Sequence, residues 1–381
     1  MIPGMRPLVA VQLALSFVVV FAAGLLGRTL VNFSRVDPGY DVNRVVAASF
    51  NPRISGYTID QLPALRERVL RATRSVPGVV STAISTCGLL ANCTQSSGFT
   101  IGTRTGIQLN SNVVGAGYFA TVGIPLRSGR EFTDRDVEGA PPVAVVSESV
   151  ARRYFPDTNP IGQRISDDNM AEIVGVVGDT RPLTLRDAPV AMVYFPIAQR
   201  NQPVYTLAAR VTGDANAAAA SIERAVKAME PGLVLDSTSP MTVYVTQALG
   251  RERLVTYLVS SLGALALLLG CLGLYGVLSY AVARRRPELG VRLALGAAPS
   301  DLRRIVLREG LEVVGPGTVA GLAAAFWANR LIQALLFDVG VFDPLTCVAV
   351  IALLAVSTFA ACSVPAIRAS RVNPIEALRA E

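Results

Sequence analysis

The chain has 381 residues, of which 51% are hydrophobic and only 17% are charged, and its formal net charge is +7. Average soluble domains contain about 25% charged residues, so this composition predicts apolar segments that never meet water. The sequence contains no histidine, which excludes the commonest general base and the commonest transition-metal ligand.

Four segments are long and apolar enough to cross the ~30 Å hydrocarbon core of a bilayer. They are residues 7–27, 254–283, 313–337 and 345–366. A cleaved signal peptide is the alternative for the first segment, but its charge-free core is longer than the usual ~7–15 residues of such peptides. We therefore expect residues 7–27 to be retained as an anchor, and we predict four transmembrane helices.

Residues 31–250, between the first two segments, are predicted to form a large α+β domain. This region has 20 basic and 19 acidic residues and no basic stripe, so nucleic-acid binding is not expected. The strand-like VVAASF at 45–50 precedes an amphipathic helical pattern at 60–75, and the strand-like VVSTAIS follows it. The same order of patterns recurs near the end of the region, at 205–237.

The expected organisation of this domain is therefore two β-α-β halves around an insert. The halves span about 31–110 and 204–250, and the β-rich inserted subdomain spans about 111–203. Strand-like segments in the insert are VAVVS at 143–147 and AEIVGVVGD at 171–179.

The polar residues of this domain predict no catalytic site and no metal site. Asp134, Asp136 and Glu138 share one loop, but their spacing is not that of an EF-hand, so a solvated acidic turn is expected. Solvated turns are likewise expected for the remaining acidic candidates, which are Asp167, Asp168 and Asp179.

Cys87 and Cys93 enclose the segment CGLLANC. An oxidising compartment would permit a disulfide between them. Two free thiols in a loop are the alternative, and the residues alone do not decide between the two.

Small residues recur along the second and third apolar segments. Because small residues let helix backbones approach closely, they predict a helix-packing face, which we expect to serve pairing with a second copy or a related half. The second segment is also long enough to continue beyond the membrane as a stalk. The predicted packing residues are Gly263, Gly270, Gly273, Gly276, Gly317 and Gly321.

The distribution of arginine predicts the orientation in the membrane. The 284–308 loop contains seven arginines, and the 367–381 tail contains three more, whereas the turn between the third and fourth segments has no basic residue. Because short cytoplasmic loops are enriched in basic residues, both termini are expected in the cytoplasm and residues 31–250 outside it.

The 284–308 loop also carries the most specific motif, RPELGVRLALGA at 286–297. It closely resembles the FtsX-like permease signature, and PGYDVNRVV, GYFATVGIPLRSGREFTDRD and EIVGVVGDTR resemble the MacB-type periplasmic domain. The chain is therefore identified as a member of the MacB/FtsX family of ABC transporter permeases. Within this family it is most similar to the second half of the duplicated orphan permeases of Acidobacteria, which leaves open whether it is a stand-alone half or part of a longer protein.

The resemblance implies a bacterial inner-membrane permease that is not an enzyme. Lys227, the single lysine, follows a helical pattern rather than a glycine-rich turn, so residues 1–381 contain no Walker A site. No cofactor is expected, and ATP is expected to bind a separate cytoplasmic ABC ATPase. The family also implies export or efflux by mechanotransmission, in which the motion of the ATPase reaches the periplasmic domain through long helices.

The resemblance further assigns the loop motif to contact with the ATPase. A loop that touches only lipid headgroups is the alternative. Other implied partners are the lipid bilayer, a second permease unit and a periplasmic adaptor. There are two alternative functions. One is an FtsX-like signal transducer that controls a periplasmic partner, and the other is an orphan permease without an ATPase. The expected coupling residues are Glu288, Gly290, Arg292, Leu293, Ala294, Leu295, Gly296 and Ala297.

Overall fold

The structure is a computed structural model that describes residues 5–91, 93–167, 169–200, 202, 205–284, 298–333, 336–340 and 343–370. The chain divides into two compact units. One is Val36–Gly250, and the other combines the segments before and after it. The expected coupling residues, 288–297, lie outside the described part of the chain.

The unit Val36–Gly250 is built around one hydrogen-bonded sheet. Its strands are β1 Val45–Phe50, β2 Val79–Ser85, β3 Gln95–Ile101, β4 Arg104–Val114, β5 Leu126–Gly129, β6 Val143–Ser147, β7 Arg164–Ser166, β8 Met170–Val177, β9 Met192–Pro196, β10 Tyr205–Val211 and β11 Leu235–Pro240. The helices of the described chain are α1 Met5–Arg35, α2 Leu62–Arg74, α3 Tyr118–Val122, α4 Glu148–Tyr154, α5 Ala215–Met229, α6 Met241–Ala248, α7 Gly250–Arg284, α8 Pro299–Ile332 and α9 Pro344–Ser370.

Two β-α-β units interleave in this sheet. The strand order is β11-β1-β10-β2, so β10 lies between β1 and β2, and β1 lies between β10 and β11. All three contacts are antiparallel, with Ala47 opposite Ala208 and Leu207 opposite Ile84. This is the split β-α-β arrangement. The sequence patterns correctly predicted the helices and most strands of both units, but periodicity alone does not reveal that the strands alternate.

The sheet continues from β2 into the β-rich insert at one position. Ser85 of β2 pairs with Val114 of β4, and the order then runs β4-β3-β7-β8-β6-β9, with β5 beside β8. The β3–β4 hairpin also pairs with β7 and β9 of the insert, and its one pair with β2 is Ser85–Val114. The two parts are therefore joined through a single strand pair, beyond which β2 and β4 separate.

Both faces of the sheet are covered by apolar side chains. In β1, Val46, Ala48 and Phe50 point to the core that includes α2 and α5, whereas Val45 and Ala47 point to the opposite core. This alternation follows from the two-residue period of a strand. It explains why five of the six residues of VVAASF are apolar, since both faces of β1 pack against a core.

The other unit contains four helices that are long and apolar enough to cross a membrane, among the residues described. The candidate spans are Pro7–Arg35, Gly250–Arg284, Gly310–Ala328 and Pro344–Pro365. Helix α1 continues past the predicted end at residue 27, through Arg28, to Arg35. Residues 299–308, assigned to the cytoplasmic loop by their arginines, form the first turns of α8.

Candidate functional site

The glycines of α7 lie against α1 of the same chain. A Cβ added at Gly263 would lie 3.5 Å from Cα of Val20, and one added at Gly270 would lie 3.3 Å from Cδ2 of Leu13. Gly273 faces α1 in the same way. Gly270 was expected to serve pairing between copies, but its contact face is occupied within the chain. This face of α7 is therefore not free for a second copy.

A buried hydroxyl strengthens this α1–α7 seam. Ser16 of α1 is 1% exposed, and its Oγ donates a hydrogen bond of 2.9 Å to the carbonyl oxygen of Ala266 in α7. The same Oγ also lies 2.9 Å from the carbonyl oxygen of Gln12, one turn earlier in α1. Hydrogen bonds between helices are a common source of cohesion where neighbouring helices meet lipid rather than water.

Helix α8 approaches a different side of α1 through its own glycines. A Cβ at Gly317 would lie 2.9 Å from the carbonyl oxygen of Ala10, and one at Gly321 would lie 2.7 Å from Cβ of Phe17. These distances leave no room for a side chain. Gly276 of α7, by contrast, has open space beside it. Five of the six predicted packing residues therefore contact α1, and the sixth does not.

An ion pair joins the end of α1 to the start of α9. Arg28 contacts the carboxylate of Asp343, which also accepts a hydrogen bond of 2.9 Å from the backbone N–H of Thr346. Asp343 thus caps α9, whose first residue is Pro344. Nearby, Phe33 stacks on Phe337 with ring centroids 4.3 Å apart.

Sequence reasoning missed this contact, although an Asp-Pro pair before an apolar helix is a recognisable capping signal. The arginine partner lies 315 residues away in the chain, so no local pattern relates it to Asp343. The contact connects the C-terminal part of α1, which ends at Arg35, with the start of α9.

The acidic loop of the large domain is not a solvated turn at Asp136. This side chain is 7% exposed and forms two hydrogen bonds with the guanidinium of Arg130, at 2.8 and 2.9 Å. It also accepts a bond of 2.7 Å from the N–H of Thr133. The Arg130 guanidinium lowers the pKa of Asp136 below its ordinary value, although burial opposes this shift. The prediction failed because it read three nearby acids as one class, whereas only Asp136 folds inward.

Two other acidic residues are also structural rather than solvated. Asp167 is bound by Arg200 at 2.8 Å, and Asp179 accepts bonds of 2.7 Å from the N–H and the hydroxyl of Ser149. Arg152 completes the Asp179 site. Partners about 30 residues away cannot be recognised from local patterns, which is why solvated turns were wrongly expected here. Asp168 lies outside the described residues.

The two cysteines of CGLLANC are joined by a disulfide, with their Cα atoms 5.2 Å apart. The segment is anchored on the insert side as well. Asn112 of β4 is 4% exposed, donates to the carbonyl oxygen of Cys87 at 2.8 Å and accepts from its N–H at 3.0 Å. Leu89, between the cysteines, is buried in the core on that face of the sheet. The loop is therefore packed rather than free.

Within the described residues, no three His, Cys, Asp or Glu side chains are grouped so that they could hold a metal ion. The geometry that distinguishes the helical unit is instead a set of close helix contacts centred on α1. That helix contacts α7 through one seam, α8 through a second and α9 at Gly24, where an added Cβ would lie 2.8 Å from Thr346.

Comparison with known protein families assigns most of the sequence. Residues 8–225, more than half of the chain, match the MacB-like periplasmic core domain, and residues 260–374 match the FtsX-like permease C-terminal domain. The chain belongs to the MacB/FtsX family of ABC transporter permeases. Family membership was correctly expected from the motifs at 286–297 and in the large domain.

Two relatives of this permease are named as export proteins. The macrolide export ATP-binding/permease protein MacB of Agrobacterium fabrum is 29% identical over 287 residues, which are 72% of this chain and 44% of that protein. The probable syringafactin export ATP-binding/permease protein SyfD of Pseudomonas syringae pv. tomato is 27% identical over 292 residues, 70% of this chain and 41% of that protein. The permease thus spans less than half the length of these relatives.

Two solved structures with similarity to this permease are a periplasmic region and an extracellular domain. The periplasmic region of MacB from Actinobacillus actinomycetemcomitans aligns with 55% of this chain and 94% of that chain, at 19% identity and a TM-score of 0.39. The extracellular domain of the noncanonic ABC-type transporter YknZ aligns with 51% of this chain and all of that chain, at 15% identity and a TM-score of 0.34.

Proposed function

We propose that this chain is the membrane subunit of an ABC-type exporter and that a separate cytoplasmic ATPase drives it. In this proposal the motion of the ATPase reaches the large domain through the helices, by mechanotransmission, and acts there on a periplasmic substrate. The observation that carries the proposal is the seam between α1 and α7. These are the helices that precede and follow the large domain in the sequence, and the seam makes them one packed pair.

The physical argument is that a packed pair moves as a unit. Close glycine contacts and the Ser16–Ala266 hydrogen bond leave little freedom for α7 to slide against α1. A displacement of α7 would therefore be transmitted to the first and the last residues of the large domain at the same time. Helices α8 and α9 would move with α1 through their own contacts with it.

The proposed point of entry is the signature at 288–297. The decisive variant changes Leu293 and Leu295 together to Asp. Burial of each leucine in an ATPase groove would stabilise the complex by ~1.5–3 kcal/mol, so the double variant should lose ATPase binding while the large domain remains folded. Arg292→Glu should weaken association and change its salt dependence.

The measurement is pull-down of the cognate ATPase and its ATP turnover with the permease in lipid. Arg304→Glu is the matched control, because it makes the same charge change outside the signature and should preserve binding. Unchanged binding and turnover in the double Asp variant would exclude this loop as the coupling element.

We also propose an inner-membrane location with both termini in the cytoplasm and the large domain in the periplasm. The argument is the arginine excess at 284–308. A cysteine at Asp134, an exposed position, should react with a membrane-impermeant label in intact cells, and a cysteine at Arg303 should not. The opposite labelling pattern would reject this orientation.

Finally, we propose that two permease units pair through the outward face of α7. Leucines recur there at alternating intervals of four and three residues, and each is 49–64% exposed. Lipid chains impose no such period, whereas a second helix in a left-handed pair does. These leucines are Leu258, Leu262, Leu265, Leu269 and Leu272.

The pairing is tested by disulfide crosslinking in membranes, with Cys271, Cys347 and Cys362 replaced by Ser. Leu265→Cys should crosslink between copies. Thr256→Cys is the control, because Thr256 is 7% exposed on the other side of α7, and it should not crosslink. Equal crosslinking at both positions, or none at Leu265→Cys, would contradict the proposed interface.

A further inference from the structure

A cleft opens in the large domain where β2 and β4 separate. Its volume is about 640 Å³, within the range typical of ligand sites. One wall is formed by α2 and β2, and the other by the end of β4, α3 and the 132–137 loop. The cleft lies wholly within the unit Val36–Gly250.

Strand β2 presents its edge to this cleft rather than one of its faces. Five consecutive residues, from Val80 to Ile84, line the cleft. Because successive side chains of a strand point to opposite faces, a consecutive run can line one cavity only if the backbone edge faces it. Strand β10 covers the other edge of β2.

The hydrogen-bond register of β2 identifies which of its main-chain N–H and C=O groups point toward the cleft. The carbonyl oxygen of Ile84 accepts the N–H of Gly115 at 2.7 Å, so the backbone of Ile84 points toward β4. By the alternation of an antiparallel ladder, the N–H and C=O of Thr82 point in the same direction. There β4 has already diverged, because Ser85–Val114 is the last pair between the two strands.

Two main-chain groups therefore face the cleft without a partner among the described residues. They are the N–H and the C=O of Thr82. Thr82 is 5% exposed, and buried main-chain groups are nearly always hydrogen-bonded. A register shift against β10 near Val79 places a β-bulge at Val80, which limits the straight part of the edge to Ser81–Ile84.

We propose that this cleft binds an extended polypeptide segment, which adds as a short strand to the open edge of β2. A donor and an acceptor on the same residue match the main chain of another strand, which is how sheet edges bind peptides. The apolar side chains of Val80 and Val137, 62% and 46% exposed, would contact the side chains of the segment. The charges at the rim are mixed, with Arg66 and Glu67 on one wall and Asp134 on the other, so no strong net charge is required of the ligand.

The inference does not depend on the proposed export function, because it rests only on the register of β2. The test uses the full chain in lipid nanodiscs and a fluorescent octapeptide, Lys-Thr-Val-Thr-Val-Thr-Val-Glu, with binding followed by anisotropy. The unmodified peptide should bind saturably. A version with every internal amide N-methylated should bind roughly tenfold more weakly, because it can donate no main-chain hydrogen bond from those residues.

A peptide that is N-methylated on alternate residues is the matched control, because the N–H groups of alternate residues lie along one edge of a strand. Its other edge keeps its N–H groups, so this peptide should bind as the unmodified one does. Equal affinity of the fully methylated peptide, or no saturable binding of the unmodified one, would overturn the proposal.

Two protein variants separate main-chain pairing from side-chain effects. Thr82→Pro removes the open N–H without removing a hydrogen bond to β10, and it should weaken binding roughly tenfold. Thr82→Val keeps the N–H and removes only the hydroxyl that accepts a bond from Arg74, so it should bind normally. Equal loss in both variants would overturn the proposal. Ala120→Trp places a large side chain on the α3 wall of the cleft and should also prevent binding.

The bound segment could come from a free peptide or from a larger protein. A photo-crosslinking residue in place of Val137, used in native membranes, distinguishes the two sources. An adduct of peptide size would identify a free peptide, and one of protein size would identify a segment of a larger partner. In either case the unmodified octapeptide, added before irradiation, should prevent the adduct from forming. An adduct that still forms in the presence of excess unmodified peptide would contradict the proposed binding mode.

Discussion

The large domain and the outward side of α7 place their large apolar side chains in opposite directions. In Val36–Gly250, Phe50, Phe99 and Tyr205 are at most 1% exposed. In α7, five leucines from Leu258 to Leu272 are 49–64% exposed, whereas Gly263, Gly270 and Gly273 face α1. In water, burial of large apolar groups is the main driving force for folding. In lipid that force is absent between helices, and close backbone approach replaces it. The same residue types therefore have different roles in the two units.

The units also differ in their use of charge. The large domain pairs several arginines with buried or half-buried acids, such as Arg130 with Asp136 and Arg68 with Glu230. The described ion pair between helices of the other unit joins Arg28, which follows the charge-free segment 7–27, to Asp343, which precedes the span Pro344–Pro365. This difference follows from the high free energy of placing a charge at the centre of a bilayer.

The largest expected effect tests the role of apolar size in the two units. Phe99→Ala should destabilise the large domain by about 3–5 kcal/mol, because it leaves a cavity beside Phe195. Leu265→Ala removes an exposed leucine and should leave that domain unchanged. Hydrogen exchange of β3 and β4, measured in the full chain, reports the difference. Equal protection in the two variants would contradict the comparison.

The second prediction concerns space at the helix seams. Gly321→Leu should destabilise the helical unit by about 3 kcal/mol, because the new side chain overlaps Phe17. Gly276→Leu has open space and should have little effect on the unit itself. Trp327, the only tryptophan, lies in α8 and provides a fluorescence readout of thermal unfolding in detergent. A greater loss at Gly276 than at Gly321 would contradict the assigned contact faces.

The disulfide is expected to have an intermediate effect, confined to the large domain. Cys87→Ala with Cys93→Ala should lower the free energy of unfolding by about 2 kcal/mol, since the closed loop is short. Reducing agent should have the same effect on the unmodified protein and none on the double variant. Thermal unfolding with and without reductant measures this, and a reductant effect that persists in the double variant would assign it elsewhere.

The smallest expected effect is a pH dependence that sharpens the contrast in charge. The pKa values of Asp136 and Glu230 are lowered, mainly by hydrogen bonds from Arg130 and Arg68. Their contribution to stability is therefore complete above the ordinary carboxyl pKa of about 4, and it is lost as the pH falls through the lowered values. Asp136→Asn should cost about 1 kcal/mol at neutral pH and flatten the acid-induced loss. An unchanged acid profile in this variant would show that the pair does not contribute.

The sequence predicted most of the secondary structure because hydrophobic periodicity is local. The strand Val45–Phe50, the helix Ala215–Met229 and the four apolar helices follow from patterns within single segments. Membership of the permease family also followed from the sequence, since its motifs are contiguous. These features need no knowledge of which segments meet in space.

Only the tertiary structure decided which segments meet. It interleaved β10 between β1 and β2, placed Gly270 against α1 rather than on a free face, and turned Asp136 inward to Arg130. It also left the edge of β2 open beside β4. Each of these outcomes depends on partners distant in the chain or on a choice among several exposed faces, and local propensity carries no information about either.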